Sequence, residues 1–293
     1  MDSPGTGFAS RHHLSEPPQA FVENEAILVS VVPRVSQEIV DEILGHLVLY
    51  SQPDIQSLRS CSLVSKSWVL PSRRHLFRTI HFIPRSMTKW LEMFPVPEES
   101  PARHARVLCL WLGQSGAHYI VPEGFAKHIP WFTNVKVLSL QGVDRLLSSR
   151  SPLFTRLPHS VTSLNIEGVF DPAEVRDIVV QFPDLDDLYL SGAASTVSGE
   201  GRSQRIGRVP TGRFRGRLEL NTEWVVPEVV NMLLEVPTGL HFTELDIQPA
   251  DESFPAIPEN ECFLSVVRLA EACSETLVRL LYICVHGKFL VLP

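Results

Sequence analysis

The stretch VKVLSL, residues 135–140, sets Val135, Leu138 and Leu140 in an apolar-x-x-apolar-x-apolar pattern. Its closing two-residue step suits a strand with both leucines on one face. The same pattern recurs on the N-terminal side as VLCLWL (Val107, Leu110, Leu112) and on the C-terminal side as VTSLNI (Val161, Leu164, Ile166) and LDDLYL (Leu185, Leu188, Leu190). Further on come RFRGRLEL, a poorer copy with Leu218 and Leu220, then FTELDI (Phe242, Leu245, Ile247) and LVRLLY (Leu277, Leu280, Tyr282). Central anchors at 110, 138, 164, 188, 218, 245 and 280 give steps of 28, 26, 24, 30, 27 and 35 residues, a repeat with elastic spacing.

Helices fit between the anchors. DPAEVRDIVVQF offers Asp171 as a cap and Pro172 at the first helical position, where a missing N–H costs nothing. PEVVNMLLEV and ECFLSVVRLAEAC continue the alternation. Strand, turn and helix in about 27 residues is the logic of a leucine-rich repeat, in which no unit buries its apolar face alone and neighbours stack into a solenoid. An ordinary α/β sheet protein is the alternative. The recurrent L-x-L step and the lack of a dinucleotide-binding glycine fingerprint favour the repeat.

Composition bounds the rest. The chain has 293 residues, 44% of them hydrophobic, which suffices for buried cores and about two domains. A net charge of −7 argues against general binding to nucleic acid or anionic membrane, both of which need excess Lys and Arg. The N-terminal stretch lacks a signal-peptide pattern, and the apolar run Ala26 to Val32 is far shorter than the ~20 residues of a membrane span. Five scattered cysteines, Cys61, Cys109, Cys262, Cys273 and Cys284, include no C-x-x-C pair. They read as reduced thiols, so the expected location is cytoplasmic or nuclear.

Residues 1–30 are rich in Ser, Pro, Gly and His without periodicity and are expected to form a disordered tail, with His12 and His13 a solvated pair rather than a metal site. Order begins at Ser36, an N-cap for QEIVDEILGHL, in which Ile39, Ile43 and Leu47 recur beside Val40 and Leu44. Asp54 can cap a second helix with Ile55, Leu58 and Cys61. SLVSKSWVL starts a third that Pro71 is expected to end or kink. In RRHLFRTIHF, Leu76, Phe77, Ile80 and Phe82 form the apolar part before Pro84 closes the block. Three short helices make a marginal core, so a partner or the next domain must contribute.

EIVDEILGHL, IQSLRSCSLVSKSWVL and HLFRTIHF, in that order and spacing over residues 35–82, resemble an F-box, in particular the form abundant in mushroom-forming fungi. The resemblance implies a helical cluster that docks the Skp-type adaptor of a cullin-based ubiquitin ligase while the repeats hold a protein substrate. Carried over residue by residue, it implies an adaptor-facing set of Val35, Ser36, Ile39, Ile43, Leu58, Cys61, Val64 and Trp68, with Leu76 and Phe77 mainly in the core. The split between partner contact and internal core is open for each of the eight. A tryptophan anchor of this kind typically costs ~2–4 kcal/mol when truncated at an interface. One departure matters: the family opens with Leu-Pro followed one residue later by Glu, whereas this chain has VSQE, with its nearest proline at Pro33. Loss of the proline weakens docking by ~1 kcal/mol on the usual scale of one preorganising contact.

No G-x-S-x-G, Walker loop or H-E-x-x-H occurs, and GQSGA at Gly113 lacks the second required glycine. The chain is therefore expected to be no enzyme and to need no cofactor or metal; an unrecognised enzyme is the minor alternative. GEGRSQRIGRVPTGRFRGR concentrates Arg202, Arg205, Arg208, Arg213, Arg215 and Arg217 against Glu200 alone. Its glycines mark residues 195–217 as a flexible insertion, either a solvated loop or a reader of phosphate or acidic groups on a substrate. KFLVLP near the C-terminus is apolar where a solenoid needs a cap, so it either folds back as a makeshift cap or further repeats are missing.

The expected architecture is α + α/β. It comprises a tail (1–30), a three-helix F-box-like domain (31–83) and an irregular leucine-rich-repeat-like substrate-binding region (84–293). The expected role is a substrate-recognition adaptor, partnered by a Skp-type protein and, through it, cullin, with neither nucleic acid nor membrane. The rival is a repeat scaffold whose F-box has decayed and recruits no ligase.

Overall fold

The computed structural model describes residues 35–47, 54–113, 121–122, 124–143, 153–194, 214–222, 226–236, 239–249, 259–283 and 289–292. The tail expected over 1–30, with its histidine pair, lies outside them. Residues 37–293 form one compact unit; of the unit before it, Val35 and Ser36 are described, and both are exposed.

Three helices open the unit: α1 (Gln37–His46), α2 (Ile55–Cys61) and α3 (Lys66–Leu76). Their core is small. Val40, Leu44 and Leu58 are fully buried, and Leu47, Cys61, Trp68 and Leu76 pack around them. Asp54 caps α2 as its short acceptor side chain predicts, taking hydrogen bonds from Ser57 N at 2.9 Å and Ser57 Oγ at 2.5 Å. Pro71 neither ends nor kinks the chain out of α3, which runs on to Leu76. Only the bond to the Ser67 carbonyl is lost, and burial of the proline ring compensates.

The next element is β1 (Thr79–Phe82), then α4 (Pro84–Met93). Pro84 thus starts a helix, at the position where its missing N–H is harmless, and Ile83 N bonds Ser86 Oγ at 2.8 Å in its first turn. The block expected to close at 83 does not close there, because β1 is the first strand of a sheet that continues through the chain. That sheet adds β2 (Val107–Trp111), β3 (Val137–Val143), β4 (Ser163–Phe170), β5 (Asp187–Ala194), β6 (Arg217–Thr222), β7 (Glu244–Pro249), β8 (Arg279–Ile283) and β9 (Phe289–Leu292). Strand order follows chain order; β1 to β8 are parallel, and β9 turns back antiparallel to β8. Phe289–Leu292 of KFLVLP therefore folds back along β8, as one of the two expectations had it.

Register makes each unit superimpose on the next. Leu108, Leu138, Leu164, Leu188, Leu218, Leu245 and Leu280 are successive partners, and Leu110, Leu140, Ile166, Leu190, Leu220, Ile247 and Tyr282 follow two residues on. The first anchor is Leu108, so the sequence alignment on Leu110 was out by two, with Ala105 rather than Val107 in the leading apolar position. Ile80 and Phe82 pair with Leu108 and Leu110, which makes FRTIHF one more copy of the pattern. Both phases of leucine are buried in one continuous core shared with α4, α5 (Pro172–Val179), α6 (Val226–Leu234) and α7 (Glu259–Ala272). All four helices therefore cover the same face of the sheet. A doubly wound sheet would have helices on both faces and a reversal of strand order, and neither occurs among the described residues. Among the described residues, the connections after β2 and β3 carry 3-10 turns, at Phe125–Lys127, Ile129–Trp131 and Phe154–Arg156.

Large side chains close the end next to α3. The Phe82 ring sits 4.8 Å from Phe125, 5.2 Å from Trp90 and 6.1 Å from Phe132, all edge-on, the favourable arrangement for aromatic quadrupoles. Leu76 joins the helical core while its neighbour Phe77 packs against the sheet core.

Just before each strand, one carbonyl accepts two N–H groups from the next unit. Arg78 O takes Arg106 N (2.7 Å) and Val107 N (3.0 Å); Arg106 O takes Lys136 and Val137; Lys136 O takes Thr162 and Ser163. Thr162, Gly216 and Thr243 carbonyls repeat this, and Asp186 O takes Gly216 N. At the far ends of the strands stands a second ladder, Gly113, Gly142, Gly168 and Gly192. Gly192 has φ +118°, and a Cβ there would overlap the Gly168 carbonyl.

Asp171 caps α5 by accepting from Ala173 N at 2.8 Å, with Pro172 first in the helix, as predicted. The insertion expected over 195–217 falls outside the described residues up to 213. From Phe214 on the chain is already in the sheet, bridged to Leu240 and stacked on Phe242 at 5.1 Å. No helix among the described residues is long and apolar enough to cross a membrane.

Candidate functional site

On α1 the apolar positions divide by the helical period. Val40 and Leu44, four apart, point into the helical core; Ile39 and Ile43, one residue earlier each, are left 49% and 41% exposed. Ile55 at the start of α2 is half exposed, and Leu63 and Val64, in the turn between α2 and α3, are 86% and 64% exposed. Backbone bonds from Leu63 N to Ser60 O (3.0 Å) and from Val64 N to Cys61 O (3.1 Å) hold that turn. A three-helix cluster with three fully buried apolar residues thus leaves six large aliphatic side chains on its outside, these five and Leu70 of α3.

The eight residues that the F-box resemblance implies divide along this line. Ile39, Ile43 and Val64 are exposed and free to meet a partner, as are Val35 and Ser36. Leu58 is not: it is fully buried, because the Asp54 cap sets α2 so that its fourth residue faces α1 and α3. Cys61 and Trp68 are half-buried against the same core, so Trp68 closes the helical cluster. Ile55 and Leu63 were missed by the residue-by-residue transfer. For Leu63 the signal lay in the sequence, five residues beyond Leu58 and off its phase; Ile55, three before Leu58, shares that phase, and its exposure follows only from its place at the outer end of α2.

The sheet face opposite the helices carries the residues between the leucines. Successive strands place Cys109, Ser139, Asn165, Tyr189, Glu219 and Asp246 side by side in register. Burial pushes the Cys109 thiol up, with the Ser139 hydroxyl beside it, so it stays protonated at neutral pH and is a poor nucleophile. Asn165 Oδ1 is buried without a hydrogen-bond partner. Arg217 Nη2 bonds Asp246 Oδ2 at 2.6 Å and Glu219 Oε2 at 2.9 Å. This face offers hydroxyl, amide, phenol and carboxylate groups in a row, a surface suited to hydrogen bonding.

Of the six loop arginines, Arg202, Arg205, Arg208 and Arg213 lie outside the described residues. Arg215 is exposed. Arg217 is not a loop residue: it begins β6 and is held by two carboxylates, Glu219 two residues on and Asp246 on the adjacent strand. Sequence distance hid the second of these. Among the described residues no group of three or more His, Cys, Asp or Glu is placed to hold a metal ion. No family model matches this chain, and no curated protein matches it.

Proposed function

We propose that this chain is a substrate-recognition adaptor of a cullin-based ubiquitin ligase. In this reading α1 to α3 are an F-box that docks a Skp-type protein, and the strand-and-crossover units after them are irregular leucine-rich repeats that hold a protein substrate. The observation that carries the reading is the outward set Ile39, Ile43, Ile55, Leu63 and Val64 on a cluster whose own core is only Val40, Leu44 and Leu58. Apolar side chains left out by so small a core gain most by burial against a partner, at roughly 25 cal/mol per Å² covered. The one-sided helical cover of the sheet and the register repeat support the leucine-rich-repeat reading, with the row from Cys109 to Asp246 as the substrate-facing surface.

The ligase contributes the chemistry and this chain contributes proximity. Tethering a substrate near the transferring subunit raises its effective concentration without any bond made here. The second reading, a scaffold with a lapsed F-box, rests on Val35-Ser36 in place of Leu-Pro. The test is capture of a purified Skp-type adaptor by the full chain and by an Ile39→Asp, Ile43→Asp variant whose circular dichroism and melting are unchanged. Capture by the parent and its loss in the variant is expected; no capture by the folded parent would replace the ligase with the scaffold.

A further inference from the structure

Between α3 and the starts of β2 and β3 lies a cleft of about 990 Å³, the upper end of the size range of small-ligand sites. It is lined by Arg74 of α3, by Arg78 and Arg106 just before β1 and β2, by Arg103, and by Lys136 just before β3. Three of these cations are there because of the repeat. Arg78, Arg106 and Lys136 occupy the same rung, the one whose carbonyl accepts two N–H groups from the next unit, so they stand on neighbouring strands about 4.8 Å apart. The next two rungs are Thr162 and Asp186, and the basic run stops where the cleft stops.

Like charges directly opposite on adjacent strands repel and destabilise the pair. Among the described residues no Asp or Glu oxygen lies within 4.0 Å of any of the five cations, and Arg106 has only a 3.4 Å bond to the Asn134 carbonyl. Asp41 is the single acid in the wall. Two histidines in the same wall register the field: His104 is held below the usual imidazole range by burial and then by Arg103, Arg74 and Arg73, and His75 by burial and then by Arg78, with Asp41 opposing. A chain with net charge −7 that gathers five unpaired cations in one concavity has concentrated them against its own composition.

We propose that this cleft binds a small anion carrying two or more phosphate groups. Guanidinium forks take phosphate oxygens two at a time, and Lys136 adds a point charge. Leu70, Pro71, Val107 and Val137 supply apolar wall for a short carbon skeleton. Among the described residues the wall contains no Phe, Tyr or Trp, and its five cations outnumber its two rings, His75 and His104, so charge outweighs base stacking and the site fits a phosphate-dense ligand better than single-stranded RNA. The site is separate from the apolar outside of α1 and α2, and it stands whether or not the chain docks an adaptor.

The test is titration calorimetry of the full chain with inorganic tripolyphosphate at low and at 0.5 M salt, beside inorganic phosphate and a short single-stranded RNA. Two variants go with it: Arg106→Gln, Lys136→Gln in the cleft, and Arg85→Gln, Lys89→Gln on the exposed surface of α4, which removes the same charge elsewhere. Tripolyphosphate should bind the parent, weaken with salt, exceed phosphate at least tenfold, and lose tenfold or more in the cleft variant while the surface variant binds as the parent does. Equal weakening in both variants, no binding to a folded parent, or tighter binding of the RNA would overturn the assignment.

Discussion

Arg217 reaches from the first residue of β6 to Asp246 on β7, 2.6 Å away, and to Glu219 on its own strand, 2.9 Å away. Asp246 is nearly covered, with its side chain 9% exposed, while Arg217 remains 44% exposed. Removing the arginine strands a covered carboxylate, whereas replacing Asp246 leaves a half-exposed cation still paired with Glu219. Arg217→Ala should therefore lower stability by about 1–2 kcal/mol, and Arg217→Ala with Asp246→Asn by less than the single change. Urea denaturation of the four-member cycle measures this; equal loss in the single and double variants would refute the asymmetry.

Two glycines should respond in opposite directions to the same substitution. Gly192, at φ +118° and against the Gly168 carbonyl, has no room for a methyl group, so Gly192→Ala should cost more than about 2 kcal/mol. Gly45 sits near the end of α1 with nothing within 4 Å of a Cβ, so Gly45→Ala should gain up to about 1 kcal/mol from helix propensity. Thermal melts of the two variants, read against the parent, decide the sign of each.

Glu174 in the first turn of α5 carries a pH dependence. Burial, reinforced by Asp171 and then Asp177, raises its pKa from 4.5 to about 7. The folded state then holds the proton more tightly than the unfolded one, so the stabilising effect of that proton is complete below about 4.5 and is lost as pH rises through about 7. Glu174→Gln keeps the neutral shape at every pH. Its melting temperature should match the parent near pH 4.5 and exceed it by a widening margin up to pH 7.5, then stay level; a constant difference across that range would dissociate the effect from this carboxyl.

Helical core and helical outside should separate in one experiment. Leu58→Ala removes a fully buried side chain from a three-residue core and should cost about 2–5 kcal/mol. Leu63→Asp, at a position 86% exposed, should leave the melting temperature within a degree or two of the parent while reducing capture of a Skp-type adaptor. Loss of fold in Leu63→Asp would mean that this turn serves the core instead.

The L-x-L step made the parallel strands legible, because a two-residue period with leucine at both ends is satisfied only where neighbours present the same spacing. It did not show that FRTIHF is one of the units. Phe77, Ile80 and Phe82 match the pattern as well as Val135, Leu138 and Leu140 do, and the F-box resemblance claimed them first. The glycines at 142, 168 and 192 ended each copy in plain sight, yet their meaning depends on a carbonyl from the preceding unit.

Local chemistry is what the sequence by itself determined: the Asp54 and Asp171 caps, the strand at each leucine pair, and the elastic repeat. These rest on interactions between residues a few positions apart, which spacing records. Tertiary structure alone decided that Leu58 faces inward, that Arg217 meets Asp246, and that Arg78, Arg106 and Lys136 share one rung. Each depends on which atoms from distant units come within a few ångströms, and parallel stacking converts steps of 28 and 30 residues into neighbours one strand apart.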